Sequence, residues 1–304
     1  MIHICIYSFY EDSFLVNCLN SIDKSDFKDY VIDLYIFSKR GAVNVNELYE
    51  FPKIEISIFN KRKSFSEITN ISIKKAKESN CDYFLLLNSD TILQQNCLSY
   101  LVNVLAFENN LGVIGGFQTE YSGEWNEPNN WSKEILKSVK SKENLKLNGE
   151  NFVLHKCVYV QGACMLIKSA IFNQVGGFDE RFKFFYEETE FCRRVQRNHF
   201  DIGILEEAKV KHFSGGTWKK NTLLHYRRDV YYLTNQIIFE STINPASKMK
   251  LLKDVFSIAK KQIKNLLNKN DSHKLPVVFY PVVILNLLYR INFINSLYKE
   301  QSTS

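Results

Sequence analysis

Paired cysteines, long apolar runs and internal repetition are what this 304-residue chain has least of. Its seven cysteines, Cys5, Cys18, Cys81, Cys97, Cys157, Cys164 and Cys192, are odd in number, scattered and without a C-x-x-C. That excludes a disulfide framework and a structural zinc site, and points to a reducing, cytoplasmic compartment. The longest apolar run, Leu275 to Leu288, is broken by Pro276, Pro281 and Asn286 and falls short of the roughly 20 residues that cross a bilayer. The first residues, Met1 to Ile6, carry no basic segment and lead quickly to Ser8, Glu11 and Asp12, so no secretory leader is expected. No repeat, low-complexity segment or arginine-rich pattern is present, and a nucleic-acid partner is not expected.

What is present is enough apolar material for a core, 45% hydrophobic and 14% aromatic residues, in a chain long enough to need no staples. The net charge of +6 is unevenly placed. Residues 241–304 hold ten basic and three acidic residues, while the first 240 carry 29 positive and 30 negative charges. The division predicts a near-neutral main domain over residues 1–240 and a basic tail over 241–304.

Short β-rich runs alternate with helical patterns, which predicts an α/β fold with a mainly parallel central sheet flanked by helices. Ile2–Tyr7, Val31–Phe37, Ile54–Phe59 and Tyr83–Leu87 read as its first four strands. A helix over Asp12–Ser21 follows the first. Another is opened by Ser64-Phe65-Ser66-Glu67, a capping-box pattern. Leu111–Gly116 is a further strand, and the polar stretch 117–156, with Trp125 and Trp131, reads as a long excursion over the sheet. Beyond it come a strand over Val158–Ile167, a short helix ended by Gly176-Gly177, a helix over Glu187–Arg197, two short strands (Ile202–Leu205 and Lys209–Phe213) and a helix over Leu223–Phe239.

Three features carry chemistry. Asp90 ends the fourth strand, where open α/β sheets bind ligands, though it also fits the N-cap of a helix starting at Thr91. Glu187, Glu188 and Glu190 crowd one helix start, which suits either the helix dipole or a base of raised pKa. His212 stands at a strand end before Ser214-Gly215-Gly216.

Their order and setting, with Gln161-Gly162-Ala163-Cys164, Gly176-Gly177-Phe178-Asp179-Glu180 and Phe185-Tyr186-Glu187-Glu188-Thr189-Glu190 between them, resemble the inverting family 2 glycosyltransferases of the GT-A fold. Within that family the likeness is to the rhamnosyltransferase-like branch of bacterial surface polysaccharide synthesis, over roughly residues 2–240. The resemblance implies a nucleoside diphosphate sugar donor, dTDP-rhamnose or a UDP-sugar, and a glycan or lipid-linked glycan acceptor. It implies Asp90 and His212 as ligands of Mn²⁺ or Mg²⁺, and Glu188 as the base, with Glu187 as the alternative. Ser8, Phe9, Tyr10, Ser38, Asn70, Asn88, Ser89 and Asp90 would line the donor, and Gly162, Ala163 and Trp218 the acceptor side or a lid. The chain departs from the family at four places. Asn88 replaces the first acid of D-x-D, Ser38 stands where an Asp-Asn pair meets the nucleobase, Glu188 is usually Asp, and Asn235 replaces an arginine.

In the tail, Leu251, Leu252, Val255, Ile258, Ile263 and Leu266 recur at helical spacing within 248–269, opposite seven lysines. This predicts an amphipathic helix that either lies on the anionic inner face of the cytoplasmic membrane or packs on protein, a second copy in a homodimer included. Two other functions remain open at this point: a degenerate homologue acting as a membrane-surface scaffold, and a sugar nucleotidyltransferase, although no glycine-rich basic loop follows the first strand.

Overall fold

The computed structural model describes residues 1–9, 14–38 and 45–213, together with Tyr232, Asn235, Gln236 and Phe239. Tyr10, Trp218, the side chain of Phe9, most of the expected 223–239 helix and the whole basic tail lie outside the described residues. The chain divides into two compact units, Met1–Lys183 with Glu187–Gly216, and Phe184–Tyr186 with Thr217–Ser304.

In the first unit the elements run β1 (Ile2–Phe9), α1 (Leu15–Asp23), β2 (Tyr30–Phe37), β3 (Ile54–Phe59), α2 (Phe65–Glu78), β4 (Tyr83–Asn88), β5 (Thr91–Leu93), α3 (Cys97–Phe107), β6 (Leu111–Thr119), α4 (Asn130–Lys137), β7 (Ser141–Leu147), β8 (Glu150–Lys156), β9 (Cys164–Lys168), α5 (Ile171–Val175), α6 (Glu187–Arg197) and β10 (Asp201–His212). The strands form one sheet in the order β3-β2-β1-β4-β9-β6-β10-β8-β7, with β5 paired to β10. The parallel sheet expected from the sequence is found from β3 to β4 and again between β6 and β10. Between them β9 runs antiparallel to both β4 and β6, and the β7–β8 hairpin extends the far edge.

Alternation along the strands builds a core on each face. Ile2, Ile4, Ile6, Leu85 and Leu87 point to the side covered by α1 and α3, while Cys5, Phe84 and Leu86 point to the side covered by α2, α5 and α6. The capping box at α2 forms as its pattern predicts: Glu67 N–H donates to Ser64 Oγ (3.2 Å) and Ser64 N–H to Glu67 Oε2 (2.7 Å).

Three sequence expectations are corrected. The excursion over 117–156 is ordered architecture: β6 runs on to Thr119, then come α4 and a hairpin. The hairpin turns on Asn148 and Gly149, both at positive φ (52° and 87°), the backbone that a two-residue turn between right-twisted strands requires. The two short strands at 202–213 are one strand, β10, whose pairing with β6 shifts register between Leu205 and Lys209. Of the three surplus residues, Glu206 and Glu207 accept hydrogen bonds from His155 (2.8 Å) and the Val153 N–H (2.9 Å). Finally, Thr91 opens a strand, so Asp90 is not a helix N-cap.

Pairing brings the carboxyl ends of β2, β1 and β4 to one edge, with Ser8 beside Ile36 and Tyr7 beside Asn88. The chain order reverses between β1 and β4, and the crevice at such a switch point is where open α/β sheets take ligands. Among the described residues no helix is long and apolar enough to cross a membrane.

Candidate active site

At the end of β4 the chain turns through Ser89 and Asp90 into β5, which pairs antiparallel with the end of β10 and sets Thr91 opposite His212. Two residues 122 positions apart therefore meet: His212 Nε2 lies 3.3 Å from Asp90 Oδ1, and both side chains are largely buried. Asn88 Nδ2 is also 3.3 Å from Nε2. The other ring nitrogen, Nδ1, lies 2.9 Å from Gln118 Oε1 at the end of β6. Thr91 Oγ donates to the Asn88 carbonyl (2.7 Å) and the Phe213 N–H to the Asp90 carbonyl (3.0 Å), so the turn is pinned from both sides.

The second group of acids lies at the first turn of α6. Of the three expected to crowd there, Glu190 is tied to Arg194 by a bidentate ion pair one turn on (2.8 and 3.0 Å to Nε). Arg194 in turn donates to the Gly177 carbonyl (2.8 Å) and to the Val175 carbonyl. Glu187 and Glu188 have no such cation among the described residues. Glu187 is 5% exposed. Glu187 Oε2 and Glu188 Oε2 are both buried without a hydrogen-bond partner among the described residues. Burial, and after it the neighbouring Glu188 charge, pushes the Glu187 carboxyl well above the ordinary carboxylate range. Burial also raises Glu188, but its own N–H and that of Gly162 hold the rise back. Glu187 has only its own N–H for this, so Glu188 is the carboxyl with the additional backbone donor, from Gly162, to help it ionise.

The segment 158–163, expected as part of a strand, stays out of the sheet and links the two groups. The Asn88 N–H donates to the Ala163 carbonyl (3.1 Å), and Gly162 turns its N–H to Glu188. A Cβ on Gly162 would come within 3.3 Å of Leu86 and 3.5 Å of Phe65, so a side chain there would push the loop away from β4.

The donor-side expectations are placed as follows. Ser8 and Ser38 are buried at the ends of β1 and β2, and the Ser38 N–H donates to the Phe59 carbonyl (2.9 Å). Ser89 is buried in the turn before Asp90. Asn70 is spent elsewhere: its Oδ1 accepts from the Phe178 N–H (2.8 Å), and its Nδ2 donates to the Phe178 carbonyl (2.9 Å) and to Glu180 (3.0 Å). A Cβ on Gly177 would lie 2.4 Å from Asn70 Oδ1, which explains a glycine there. The Gly-Gly-Phe-Asp-Glu segment is therefore latched to α2. Trp125 is covered by Lys211 (Nζ 4.7 Å from the ring centroid), and Trp131 packs edge-on to Tyr159.

In the second unit, Phe185 and Tyr186 adopt positive φ (68° and 70°), a backbone rare for bulky residues. Asn235 Nδ2 donates to the carbonyls of Phe184 (2.7 Å) and Phe185 (2.9 Å). The asparagine that replaces the family's arginine is thus employed in holding this strained segment.

Gln118 and Asn129 are residues of the site that the sequence did not single out. Asn129 Oδ1 accepts from the Ser132 N–H at the start of α4 (2.9 Å), and Asn129 Nδ2 donates to Gln118 Oε1 (3.2 Å). An N-x-x-S cap was legible, but nothing local tied it to a histidine 83 positions later.

Comparison with known proteins bears on the fold and the family. A hexosyltransferase of low-salt glycan biosynthesis, Agl10 of Haloferax volcanii, is 39% identical over 66 residues, 22% of either chain. Among solved structures, S. aureus TarS 1-349 in complex with UDP-GlcNAc aligns over 95% of this chain and 72% of its own at 13% identity and TM-score 0.53. GalNAc-T7 with UDP, GalNAc and Mn²⁺ aligns over 76% of this chain and 47% of its own, at 12% identity and TM-score 0.54. At such identities the structural likeness establishes the fold, and the matched segment spans under a quarter of the curated relative. The model of "Glycosyl transferase family group 2" matches residues 83–243, just over half of the chain and inclusive of Asp90, Glu187, Glu188 and His212, and the chain belongs to that family.

Proposed function

We propose that this protein is an inverting glycosyltransferase that moves a sugar from a nucleoside diphosphate to a glycan hydroxyl. The observation that carries the reading is the buried pair of partnerless carboxylate oxygens on Glu187 and Glu188, tied through 162–163 to the Asp90–His212 turn. Glu188 takes the proton of the acceptor hydroxyl as that oxygen bonds to the anomeric carbon, and the nucleoside diphosphate leaves from the opposite face. A buried carboxylate without its full set of partners is a stronger base than a solvated one. Burial raises both carboxyls, and the Glu188 charge beside it raises Glu187 further, so the pair disfavours two adjacent negative charges.

Among the described residues no cluster of three or more His, Cys, Asp and Glu could hold a metal by itself. Asp90 and His212 suit one whose remaining ligands come from the substrate. Ligand atoms about 2.1 Å from an octahedral ion lie about 3 Å apart when adjacent, close to the 3.3 Å between Asp90 Oδ1 and His212 Nε2. A divalent cation there would offset the charge on the departing diphosphate. The buried edge at Ser8, Ser38 and Asn88 would take the nucleoside side of the donor. UDP and UDP-GlcNAc in TarS complexes, and UDP with Mn²⁺ in GalNAc-T7, support a uridine diphosphate sugar. A rhamnosyl donor, a lipid-linked acceptor and membrane attachment through the tail stay expectations of the sequence alone.

Glu188→Gln is the direct test. Transfer should be lost while calorimetric binding of the donor with Mn²⁺ persists. Full transfer by this variant, together with loss in Glu187→Gln, would move the base to Glu187, and full transfer in both would refute the carboxylate mechanism.

A further inference from the structure

The hydrogen bonds behind His212 decide which of its nitrogens faces the site. One group among them cannot be turned round, the Ser132 backbone N–H. It donates to Asn129 at 2.9 Å, so the Asn129 atom it meets is the carbonyl oxygen Oδ1. The other end of that amide is then Nδ2, a donor only. It points at Gln118 at 3.2 Å, so the Gln118 atom it meets is the acceptor Oε1. The same Oε1 lies 2.9 Å from His212 Nδ1, which must therefore carry a hydrogen. In the neutral imidazole only one nitrogen does. Nε2 is left with its lone pair, which accepts from Asn88 Nδ2 (3.3 Å) and lies 3.3 Å from Asp90 Oδ1, an acceptor with which it makes no hydrogen bond.

Each link is shielded from water: Gln118 is 1% exposed, Asn129 6%, Ser132 0% and His212 7%. The Ser132 hydroxyl also donates to the Gln118 carbonyl (2.7 Å), and the Gln118 carbonyl accepts from the Asn129 N–H (3.1 Å), so the backbone of Gln118 is held as firmly as its side chain. Burial on every side keeps solvent from offering Nδ1 a different partner.

We propose that Gln118, oriented by Asn129 at the start of α4, is a positioning residue that holds His212 in the Nδ1–H form and keeps Nε2 available to a divalent cation. The proposal rests on the metal role given to Asp90 and His212 above. Its consequence is that Gln118, Asn129 and Ser132 act on the reaction through His212. Groups that fix the tautomer of a metal-binding histidine typically matter for metal affinity by about 10–100-fold.

The test reads the tautomer in metal-free protein and the affinity separately. Long-range proton–nitrogen NMR on histidine-labelled protein, about two pH units above the ordinary histidine pKa of 6.5, should show His212 with its hydrogen on Nδ1, its signal identified by loss in His212→Gln. Gln118→Met removes the acceptor at similar length. It should give a mixed or Nε2–H form and weaken Mn²⁺ binding in the presence of UDP by about 10–100-fold. Gln118→Glu keeps an acceptor and should restore both readouts. Should Gln118→Met fail to fold by thermal melt, Asn129→Asp replaces it: that variant keeps the helix cap, loses the donor to Gln118, and should loosen the tautomer preference. An Nε2–H form in the unsubstituted protein, or an unchanged tautomer and Mn²⁺ affinity in the folded variant, overturns the proposal. Absence of any Mn²⁺ binding by the unsubstituted protein would instead refute the metal role, while the tautomer arm still decides the relay.

Discussion

At the His212 end of the site both ring nitrogens face partners, whereas at the Glu187–Glu188 end two carboxylate oxygens are buried with none among the described residues. The difference follows from what each end is asked to do. A group that holds something must be set in direction beforehand, and Gln118 and Asn129 supply that setting from a helix cap. A group that takes a proton must be under-solvated, because a carboxylate with all its hydrogen bonds filled is a weak base. Burying it unpaired costs stability, and the fold offsets that by pairing Glu190 with Arg194 on the same helix face and by lending Glu188 the Gly162 N–H.

Substitutions that exchange these two conditions should break the contrast, and the largest effect belongs to the base. Glu188→Gln should lower the transfer rate by about 10²–10⁴-fold with donor affinity retained, as measured by product formation and calorimetry. At the other end, Asp90→Asn should act on binding: Mn²⁺-dependent donor affinity should fall about 10–100-fold, and equal affinity with and without the substitution would remove Asp90 from the site. Asn70→Ala separates a latch from a ligand. It strips three hydrogen bonds from the 178–180 segment and should cost about 1–3 kcal/mol of stability in denaturant while leaving donor affinity nearly unchanged. A donor affinity that falls more than the stability does would restore Asn70 to the donor site.

The smallest effect concerns pH. Burial raises the folded-state pKa of Glu187 and Glu188 above the ordinary 4.5, so the folded protein binds protons more tightly there than the unfolded chain. The contribution to stability is complete below about pH 4.5 and is lost as pH rises through the raised values, by about 1.4 kcal/mol for every tenfold by which the folded protein holds the proton more tightly. Melting temperature should therefore drift down from pH 5 to pH 8, and Glu187→Gln should flatten the drift. An equal slope in that variant would mean that the pair is solvated in solution.

Much of the frame was legible because its signals are local. Short β-rich runs marked β1 to β3, an unbroken apolar run marked β4, Ser64 and Glu67 announced the start of α2, and the bounds of α6 were read to the residue. The hairpin turn at Asn148-Gly149 was equally local, but the polar, lysine-rich strand β7 around it lacks the apolar alternation by which strands are recognised. The join of two short strands into β10 was hidden because the surplus Glu206-Glu207-Ala208 reads as a loop until the partners that accommodate it, His155 and Val153, are known.

By itself the sequence determined the chemistry available: one acid at the end of a central strand, three at a helix start, a histidine at a strand end, and an order of occurrence that resembles one family. Only the tertiary structure decided which of these groups would be reactive and which would be held. Asn70 and His212 are as polar as Glu188 in the sequence, but Phe178 and Gln118 reach them across the fold, Arg194 occupies Glu190 one turn along the same helix, and Glu188 is left short. A side chain's pKa and direction are set by the atoms that surround it, and those come from segments up to 124 residues away, beyond the reach of any local pattern.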